Sequence, residues 1–470
     1  MQHNVAPCDE SGKRLPNELL SSLSKSCARF VVQKARNFVI YKWHQSCLKK
    51  IKSISKQIMS TIHPTKTVQS VQPKYTSRFS CIGPDCEDNC CTGWAVSIDK
   101  KTYNTYRQSQ HPALAERFDT KVKRTRSLSS DKQYARIEMN PGTRACPFME
   151  EKLCGVQREL GEDKLSDTCA TYPRNHVLVD KVHEQSLTLS CPEAARLALL
   201  HSDAFDFVES PTTVRPDVVE HMRPKHGLSP EMMRGIRIFA LQLIKNESLL
   251  LWERLAVLAI YCENLTQIIQ TSGHAKIPAM LEEMDAMMSS GGIREALAPL
   301  SPDHVTQVEV FSNLWQLKIK RQLTPVQEQV QKAIANGLGA DPISHEVSRE
   351  RLVERYRQGV TQLPLALKEV PFFLEHYLIN EMFREMFPFR ESSADAHYLR
   401  LVTRFGLVRF MLAAQCTDIN DLPSPAQMAR TVQVFSRLYQ HDSNFASLVD
   451  TALKNTGWNS LEKIYRFLRT

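Results

Sequence analysis

Residues 248–269 read SLLLWERLAVLAIYCENLTQII and have a clear helical periodicity. Apolar residues recur at three-to-four spacing, without glycine or proline to interrupt them. Glu253 and Arg254 break the most apolar part, Leu249 to Cys262, which falls short of the ~18 uninterrupted apolar residues of a membrane span. The same periodicity continues through the chain after about residue 200. The sequence therefore predicts a mostly α protein whose C-terminal domain, residues 201–470, is helical.

The other helical patterns of this domain share that spacing and are separated by prolines. They cover residues 232–244, 305–335, 347–359, 371–386, 397–414 and 426–439. Glycine is scarce, at 16 of 470 residues, about half of its usual share. This scarcity argues against α/β nucleotide folds with glycine-rich loops.

Residues 75–200 mix strand-like and helical patterns. Alternation of apolar and polar residues predicts strands, and three-to-four spacing predicts short helices. The predicted strands are 94–98, 134–139 and 185–190, and the predicted helices are 100–108 and 152–160. We therefore expect a cysteine-rich α+β lobe ahead of the helical domain.

Residues 1–74 are the basic part of the chain. They contain 13 Lys or Arg and three acidic residues, a net charge of +10, whereas the remainder has a net charge of −1. Helical spacing from Pro16 to about Ile62 predicts a basic amphipathic helix, and the polar residues 65–72 predict a linker. Such a helix can bind an anionic membrane surface or a partner, and the alternative is a solvated tail. Because the main body is not basic, nucleic-acid binding is not expected.

The N-terminus shows no secretory signal. Asp9, Glu10, Lys13 and Arg14 stand there, and no apolar h-region follows. No stretch of the sequence is apolar for long enough to predict a transmembrane helix. We therefore expect a cytoplasmic protein, with membrane association only through residues 1–74 and with reduced thiols.

Eight of the 13 cysteines fall within 111 residues. Their spacing is C-x4-C-x3-C-C followed by C-x7-C-x14-C-x21-C. They are Cys81, Cys86, Cys90, Cys91, Cys146, Cys154, Cys169 and Cys191. In a reducing compartment, such a concentration indicates metal binding or catalysis rather than a disulfide framework.

Thiolates bind soft metals, and two kinds of centre are candidates. Zinc sites favour paired C-x2–4-C knuckles with a second matching pair or histidines. Here the spacing is uneven, and His176 and His183 do not have knuckle spacing. Iron–sulfur clusters accept irregular spacing, because the cluster sets the geometry. The pattern favours iron–sulfur over zinc and leaves open whether there is one centre or two.

Individual cysteines differ in their expected roles. Adjacent Cys90 and Cys91 are expected to point in different directions. Cys191 precedes Pro192 and Glu193, a helix-start pattern, so it either ligates metal, with its thiolate favoured by the helix dipole, or only caps the helix. The cysteines outside the cluster are expected to be ordinary buried or tail residues. They are Cys8, Cys27, Cys47, Cys262 and Cys416.

Several blocks of this sequence resemble the bacterial flagellin lysine-N-methylase family. The blocks are 78–94 (RFSCIGPDCEDNCCTGW), 146–149 (CPFM), 153–154 (LC), 165–174 (LSDTCATYPR), 186–196 (SLTLSCPEAAR), 375–381 (EHYLINE) and 387–389 (FPF). Because several blocks occur in the family's order, the resemblance is specific. It extends from about residue 75 to the C-terminus and leaves out residues 1–74.

The resemblance implies methyl transfer from S-adenosylmethionine to lysine ε-amines of flagellin, with a [4Fe–4S] cluster bound by the cysteine motif. The C-x3-C-x2-C motif of radical methyl-donor enzymes is not met, because Cys91 follows directly on Cys86-x3-Cys90. In the matching blocks, Tyr172 is a candidate for a role beside the substrate or is a core tyrosine. Arg174 is a candidate partner of the donor's carboxylate or forms a structural salt bridge. The alternative is a non-catalytic protein that chelates zinc or iron, or senses redox state, through the same cysteines.

Overall fold

The strands of the described chain all lie between residues 66 and 222 of this computed structural model. They are β1 (Lys66–Pro73), β2 (Ser97–Ile98), β3 (Val122–Arg124), β4 (Ala135–Ile137), β5 (Met149–Glu150), β6 (Leu153–Cys154), β7 (Arg174–Val179), β8 (Val182–Leu187), β9 (Phe207–Val214) and β10 (Glu220–Met222). The structure describes residues 62–127, 130–316, 322–341, 347–440, 443–458 and 461–469. The basic helix predicted from Pro16 lies outside these residues, apart from its last position.

A mixed five-stranded sheet has the order β10-β7-β8-β1-β9. Strands β7 and β8 form an antiparallel hairpin, and β1 runs parallel to β8 and antiparallel to β9. The prediction of a linker at residues 65–72 is therefore wrong. The segment looks like a linker because it is polar, yet Ser70 and Gln72 are buried. Their side chains lie on a polar face of the sheet, so hydrophobic alternation could not reveal the strand.

A small lobe packs around a hydrophobic core of its own. Its sheets are β2-β4-β3 and the hairpin β5-β6. Its centre includes Tyr106 stacked on Phe118 with ring centroids 4.0 Å apart, and Phe148 lies 5.1 Å from Phe118. The helices of this half of the chain are α1 (Lys74–Ser77), α2 (Lys100–Arg107), α3 (Ala115–Lys121), α4 (Gly155–Leu160), α5 (Asp167–Thr171) and α6 (Pro192–Leu199).

The remaining described residues are helical and form the large core with the inner face of the five-stranded sheet. The helices are α7 (Pro230–Ile244), α8 (Leu251–Gln270), α9 (Ile277–Ser289), α10 (Gly292–Leu297), α11 (His304–Gln316), α12 (Pro325–Gly337), α13 (Arg349–Ala366), α14 (Phe373–Arg384), α15 (Ala394–Ala413), α16 (Pro425–Phe435), α17 (Ser443–Thr456) and α18 (Leu461–Leu468). None of the described helices is both long and apolar enough to cross a bilayer. The prediction of a mostly α chain with a large helical domain is confirmed.

Some predicted boundaries differ from the observed ones. The single helix predicted over 305–335 is wrong, because α11 ends at Gln316 and α12 begins at Pro325. Thr324 caps α12 by accepting a hydrogen bond from the Gln327 amide, a start signal within the predicted helix. Of the predicted strand 94–98, only Ser97–Ile98 pairs with a neighbour. As expected, Cys262 and Cys416 are buried in the helical core.

Close packing of α13 against α15 depends on Gly359. A Cβ atom at this position would lie 1.9 Å from the carbonyl oxygen of Ala413, so Gly359→Ala must displace the backbone. We expect this variant to lower the free energy of unfolding by about 1–3 kcal/mol, as overpacking does. Gly235 in α7 is the matched control, because nothing lies within 4 Å of its added Cβ.

Gly235→Ala is expected to raise the free energy of unfolding by about 0.5–1 kcal/mol, since alanine favours helix at an open position. Urea unfolding followed by circular dichroism measures both variants. Equal effects of the two substitutions would contradict the packing argument.

Candidate metal centre and binding cavity

The cysteines of the cluster gather around one cavity of about 1000 Å³. Seven of the eight line it: Cys81, Cys86, Cys90, Cys91, Cys154, Cys169 and Cys191. Cys146 is buried, and its backbone amide donates to the Cys91 carbonyl at 2.7 Å. Residues spread over 111 positions therefore meet in one place. The volume lies at the upper end of the range for small-molecule sites, so the cavity has room for more than one bound group.

Short elements position these thiols. Cys90 and Cys91 lie on a turn, Cys169 lies in α5, and Cys154 and Cys191 precede the first residues of α4 and α6. The helix start predicted after Cys191 is confirmed. The expectation that its thiolate would be favoured is not met, because burial outweighs the Glu193 and Ala194 amides and raises the pKa of Cys191 to about 12.

Burial also raises the pKa of other thiols in the cluster. The pKa is raised to about 11 at Cys86 and Cys146 and to about 12 at Cys169. Cys90 is the exception, with a pKa lowered to about 7 by a hydrogen bond from the Cys91 thiol and, less strongly, by the positive charge of Arg437. The prediction that Cys90 and Cys91 point in different directions is therefore wrong, because the turn brings their thiols into contact.

This donor set fits a soft metal centre larger than one ion. Buried thiols become ligands when a metal supplies the positive charge that stabilises their thiolates. Sulfurs around a single tetrahedral zinc ion lie about 4 Å apart. Among the described residues, no three cysteine sulfurs all lie within 4.8 Å of one another. Cys90 influences the pKa of thiols on both sides of it, including Cys86 and Cys169, so the thiols surround a shared space.

A second polar cluster lies beside the small lobe and was missed in the sequence. His63, Asp99 and Asp167 bring their side-chain ligand atoms within 4.8 Å of one another. However, His63 Nε2 lies 2.8 Å from the Thr102 hydroxyl, and Arg215 donates to Asp167 at 3.2 Å. These partners already satisfy the group, so we assign it to anchoring β1 on the lobe rather than to metal binding.

The loop that carries Cys90 is held by the helical domain. Arg437 donates to the Asp88 carbonyl oxygen at 2.6 Å, to the Asn89 carbonyl oxygen at 2.9 Å and to the Thr92 carbonyl oxygen. It also pairs with the Asp88 carboxylate at 2.9 Å, and both side chains are buried. Gln433 adds a hydrogen bond to the same carboxylate at 3.0 Å. This contact was not predicted, because its partners lie about 345 positions apart in the chain.

Tyr172 and Arg174, the residues predicted beside the site, both line the cavity. The Tyr172 hydroxyl lies 3.1 Å from the Ser190 hydroxyl, and burial raises its pKa, so the phenol stays neutral. Its ring lies 5.7 Å from that of Trp94. The Arg174 guanidinium lies 5.1 Å from the centre of the Phe79 ring. In the described part of the chain no carboxylate lies within 4.0 Å of Arg174, so its charge is available at the cavity.

The polar face of the five-stranded sheet also lines the cavity. Gln72, His176, Gln185 and Thr212 lie there. His176 is only 6% exposed. From the sequence, His176 was considered only as a zinc ligand. The apolar, β-branched run Val177–Val179 at the end of β7 (RNHVLV) was the signal that could have revealed the strand, on which His176 shares a face with Arg174.

The chain is similar in sequence to several known proteins. Residues 237–467, just under half of the chain, match the model of the FliB lysine N-methylase C-terminal domain. The flagellar biosynthetic protein FliU of Salmonella muenchen is 30% identical over 155 residues, which are 33% of this chain and 90% of FliU. The chain belongs to the lysine-N-methylase family.

Two further members of the lysine-N-methylase family are the lysine-N-methylases of Salmonella typhimurium and Salmonella choleraesuis. Each is 29% identical over 182 residues, which are 38% of this chain and 43% of the relative. The aligned region thus spans less than half the length of these relatives. No solved structure matches the chain.

Proposed function

We propose that this protein transfers a methyl group from S-adenosylmethionine to lysine ε-amines of flagellin, and that this activity depends on a cysteine-bound [4Fe–4S] cluster. The observation that carries the proposal is the single cavity that is lined both by cysteines and by polar residues of the five-stranded sheet. Membership of the lysine-N-methylase family and the names of the relatives support the reaction and a flagellar substrate.

The cysteines would hold the cluster. Cys90, with its low pKa, is the thiol most ready to act as a ligand, and Cys91, Cys146, Cys154 and Cys169 pack together on the core of the small lobe. When bound, such a cluster supplies iron that can pass electrons or bind a donor's polar groups. Cys86 and Cys191 remain as further ligands or as cavity wall.

The donor would bind between the cysteines and the cavity mouth. Arg174 can pair there with the donor's carboxylate, because a guanidinium binds carboxylates in a bidentate manner. Tyr172 is a neutral phenol beside the cysteines. It can donate a hydrogen bond or limit the space around the methyl group. Methyl transfer requires a lysine nitrogen with a free lone pair, aligned with the methyl carbon and the sulfur.

The test is a methylation assay with protein purified without oxygen. The protein is incubated with isotopically labelled S-adenosylmethionine and flagellin, and modified lysines are located by mass spectrometry. We expect label on lysine side chains only. Arg174→Gln should weaken donor binding about tenfold through loss of a charged hydrogen bond, as measured by equilibrium dialysis.

Arg223→Gln is the control, because Arg223 is an exposed arginine that does not line the cavity; its donor affinity should equal that of the wild type. If metal is needed for folding while neither donor binding nor methyl transfer is detected, the non-catalytic metal-chelating or redox-sensing function replaces our proposal.

A further inference from the structure

Apart from Arg174 at the start of β7, the five-stranded sheet presents uncharged residues to the cavity. Gln72, His176 and Gln185 of the sheet and Thr76 of α1 are each less than 9% exposed, and Thr212 also lines the cavity. Burying polar groups costs free energy unless they find hydrogen-bond partners. A polar surface facing a cavity therefore indicates a polar ligand or water in that cavity.

Hydrogen bonds among the side chains of this wall hold most of them in place. The Thr76 hydroxyl donates to the Gln72 side-chain oxygen Oε1 at 2.6 Å, and the Gln185 side-chain amide donates to the same oxygen at 2.8 Å. Thr212 in turn donates to the Gln185 side-chain oxygen. The network fixes both glutamine side chains, so they form a rigid surface rather than a flexible one.

His176 is the member of the wall that has no partner. It is 6% exposed and lines the cavity, and no hydrogen bond joins its ring to another described residue. Its ring nitrogens are not among the fully buried polar atoms that lack a partner, so they are accessible from the cavity. Its place beside the fixed glutamines points to a ligand that completes the hydrogen bonding.

We propose that this wall binds the side chain of the acceptor lysine, and that His176 accepts a hydrogen bond from the lysine ε-amine. The inference rests on the proposed methyltransferase function and assigns the acceptor lysine to one wall of the cavity. A site built for an ammonium ion would present carboxylates, but His176, Gln72, Gln185 and Thr212 are uncharged at neutral pH. Such a wall favours the neutral amine, because desolvation disfavours the charged form of lysine.

The charges around His176 agree with this role. Burial, Arg174 and His183 lower the pKa of His176 to about 4, so its ring is neutral at pH 7 and has one nitrogen that accepts a hydrogen bond. The lysine nitrogen uses its lone pair to form the new N–C bond, while the electron pair of the broken C–S bond remains on sulfur. The positive charge thereby passes from sulfur to nitrogen, and both amine hydrogens stay in place. A neutral ring can accept a hydrogen bond from nitrogen before and after the transfer.

The experiment compares His176→Leu with His176→Gln, which keeps a hydrogen-bond acceptor. Three properties are measured: kcat/KM for flagellin, the Kd for S-adenosylmethionine and the iron content. We expect His176→Leu to lower kcat/KM about tenfold or more, while the Kd of the donor and the iron content stay within about twofold. His176→Gln should recover part of the loss.

His221→Leu is the matched control. His221 lies in β10 opposite Leu178 of β7, is exposed and does not line the cavity, so its kcat/KM should equal that of the wild type. An unchanged kcat/KM in His176→Leu would overturn the assignment. So would a rise in the donor's Kd as large as the loss of kcat/KM, because the wall would then bind the donor.

A binding measurement separates this inference from the proposed function. A fluorescent peptide with one lysine and its norleucine counterpart are titrated onto wild type and His176→Leu in the presence of S-adenosylhomocysteine. We expect the wild type to prefer the lysine peptide and the variant to lose that preference. If the wild type transfers no methyl group, the proposed function fails. The preference for the lysine peptide still tests whether this wall binds the lysine side chain. Equal binding of both peptides by the wild type overturns the inference.

Discussion

Cys90→Ala and Cys169→Ala are expected to lose the metal centre. Protein purified without oxygen should contain about four irons and four acid-labile sulfides per chain, as a [4Fe–4S] cluster requires, and each variant should lose most of both. The pKa of Cys90 is lowered to about 7, and Cys169 packs on the core of the small lobe together with Cys91, Cys146 and Cys154. Iron and sulfide assays with EPR of the reduced protein measure the effect.

The control for these variants is Cys416→Ala. Cys416 is fully buried in the helical core and does not line the cavity, so the variant should keep its iron while losing some stability. Stoichiometric zinc without sulfide in the wild type would contradict the cluster assignment. The cysteine sulfurs would then have to approach one another to the about 4 Å of a zinc site.

The sequence was a good guide to the helical domain because its helices bury one continuous apolar face. The helical pattern at residues 248–269 predicts the position of α8, Leu251–Gln270, to within three residues at its start and one at its end. The five-stranded sheet was largely missed for the opposite reason. In β1, Ser70 and Gln72 are buried polar residues, and Gln72 lines the polar cavity instead of a core, so the segment has the composition of a linker.

The concentration of cysteines in the sequence predicted that they lie close together. The sequence did not reveal the residues that position them. Cys191 was placed at a helix start because proline and glutamate give a local signal. Arg437 and His176 give none, since their roles depend on contacts with distant segments. Even Cys90 and Cys91 were oriented wrongly, because adjacent residues point apart on extended backbone and not necessarily on a turn.

Arg437 is the residue whose loss should loosen the loop of Cys90 most. Its guanidinium bonds three carbonyl groups of the loop and the buried Asp88 carboxylate. Arg437→Met leaves Asp88 buried without its cation, so we expect the free energy of unfolding to fall by about 3–5 kcal/mol. Urea unfolding of the metal-loaded protein measures this change. Release of iron to a chelator should also become faster, because the ligand loop loses its attachment to the helical domain.

Two comparisons separate positioning from a general loss of stability. Arg437→Lys keeps the charge but lacks the planar guanidinium that reaches several oxygens at once. Its rate of iron release should therefore lie between the rates of the wild type and of Arg437→Met. Arg107→Met breaks an exposed ion pair with Asp119, and should cost only about 0–1 kcal/mol without changing iron release. If Arg437→Met released iron at the wild-type rate despite being destabilised, the helical domain would be shown to stabilise the fold without positioning the cysteine loop.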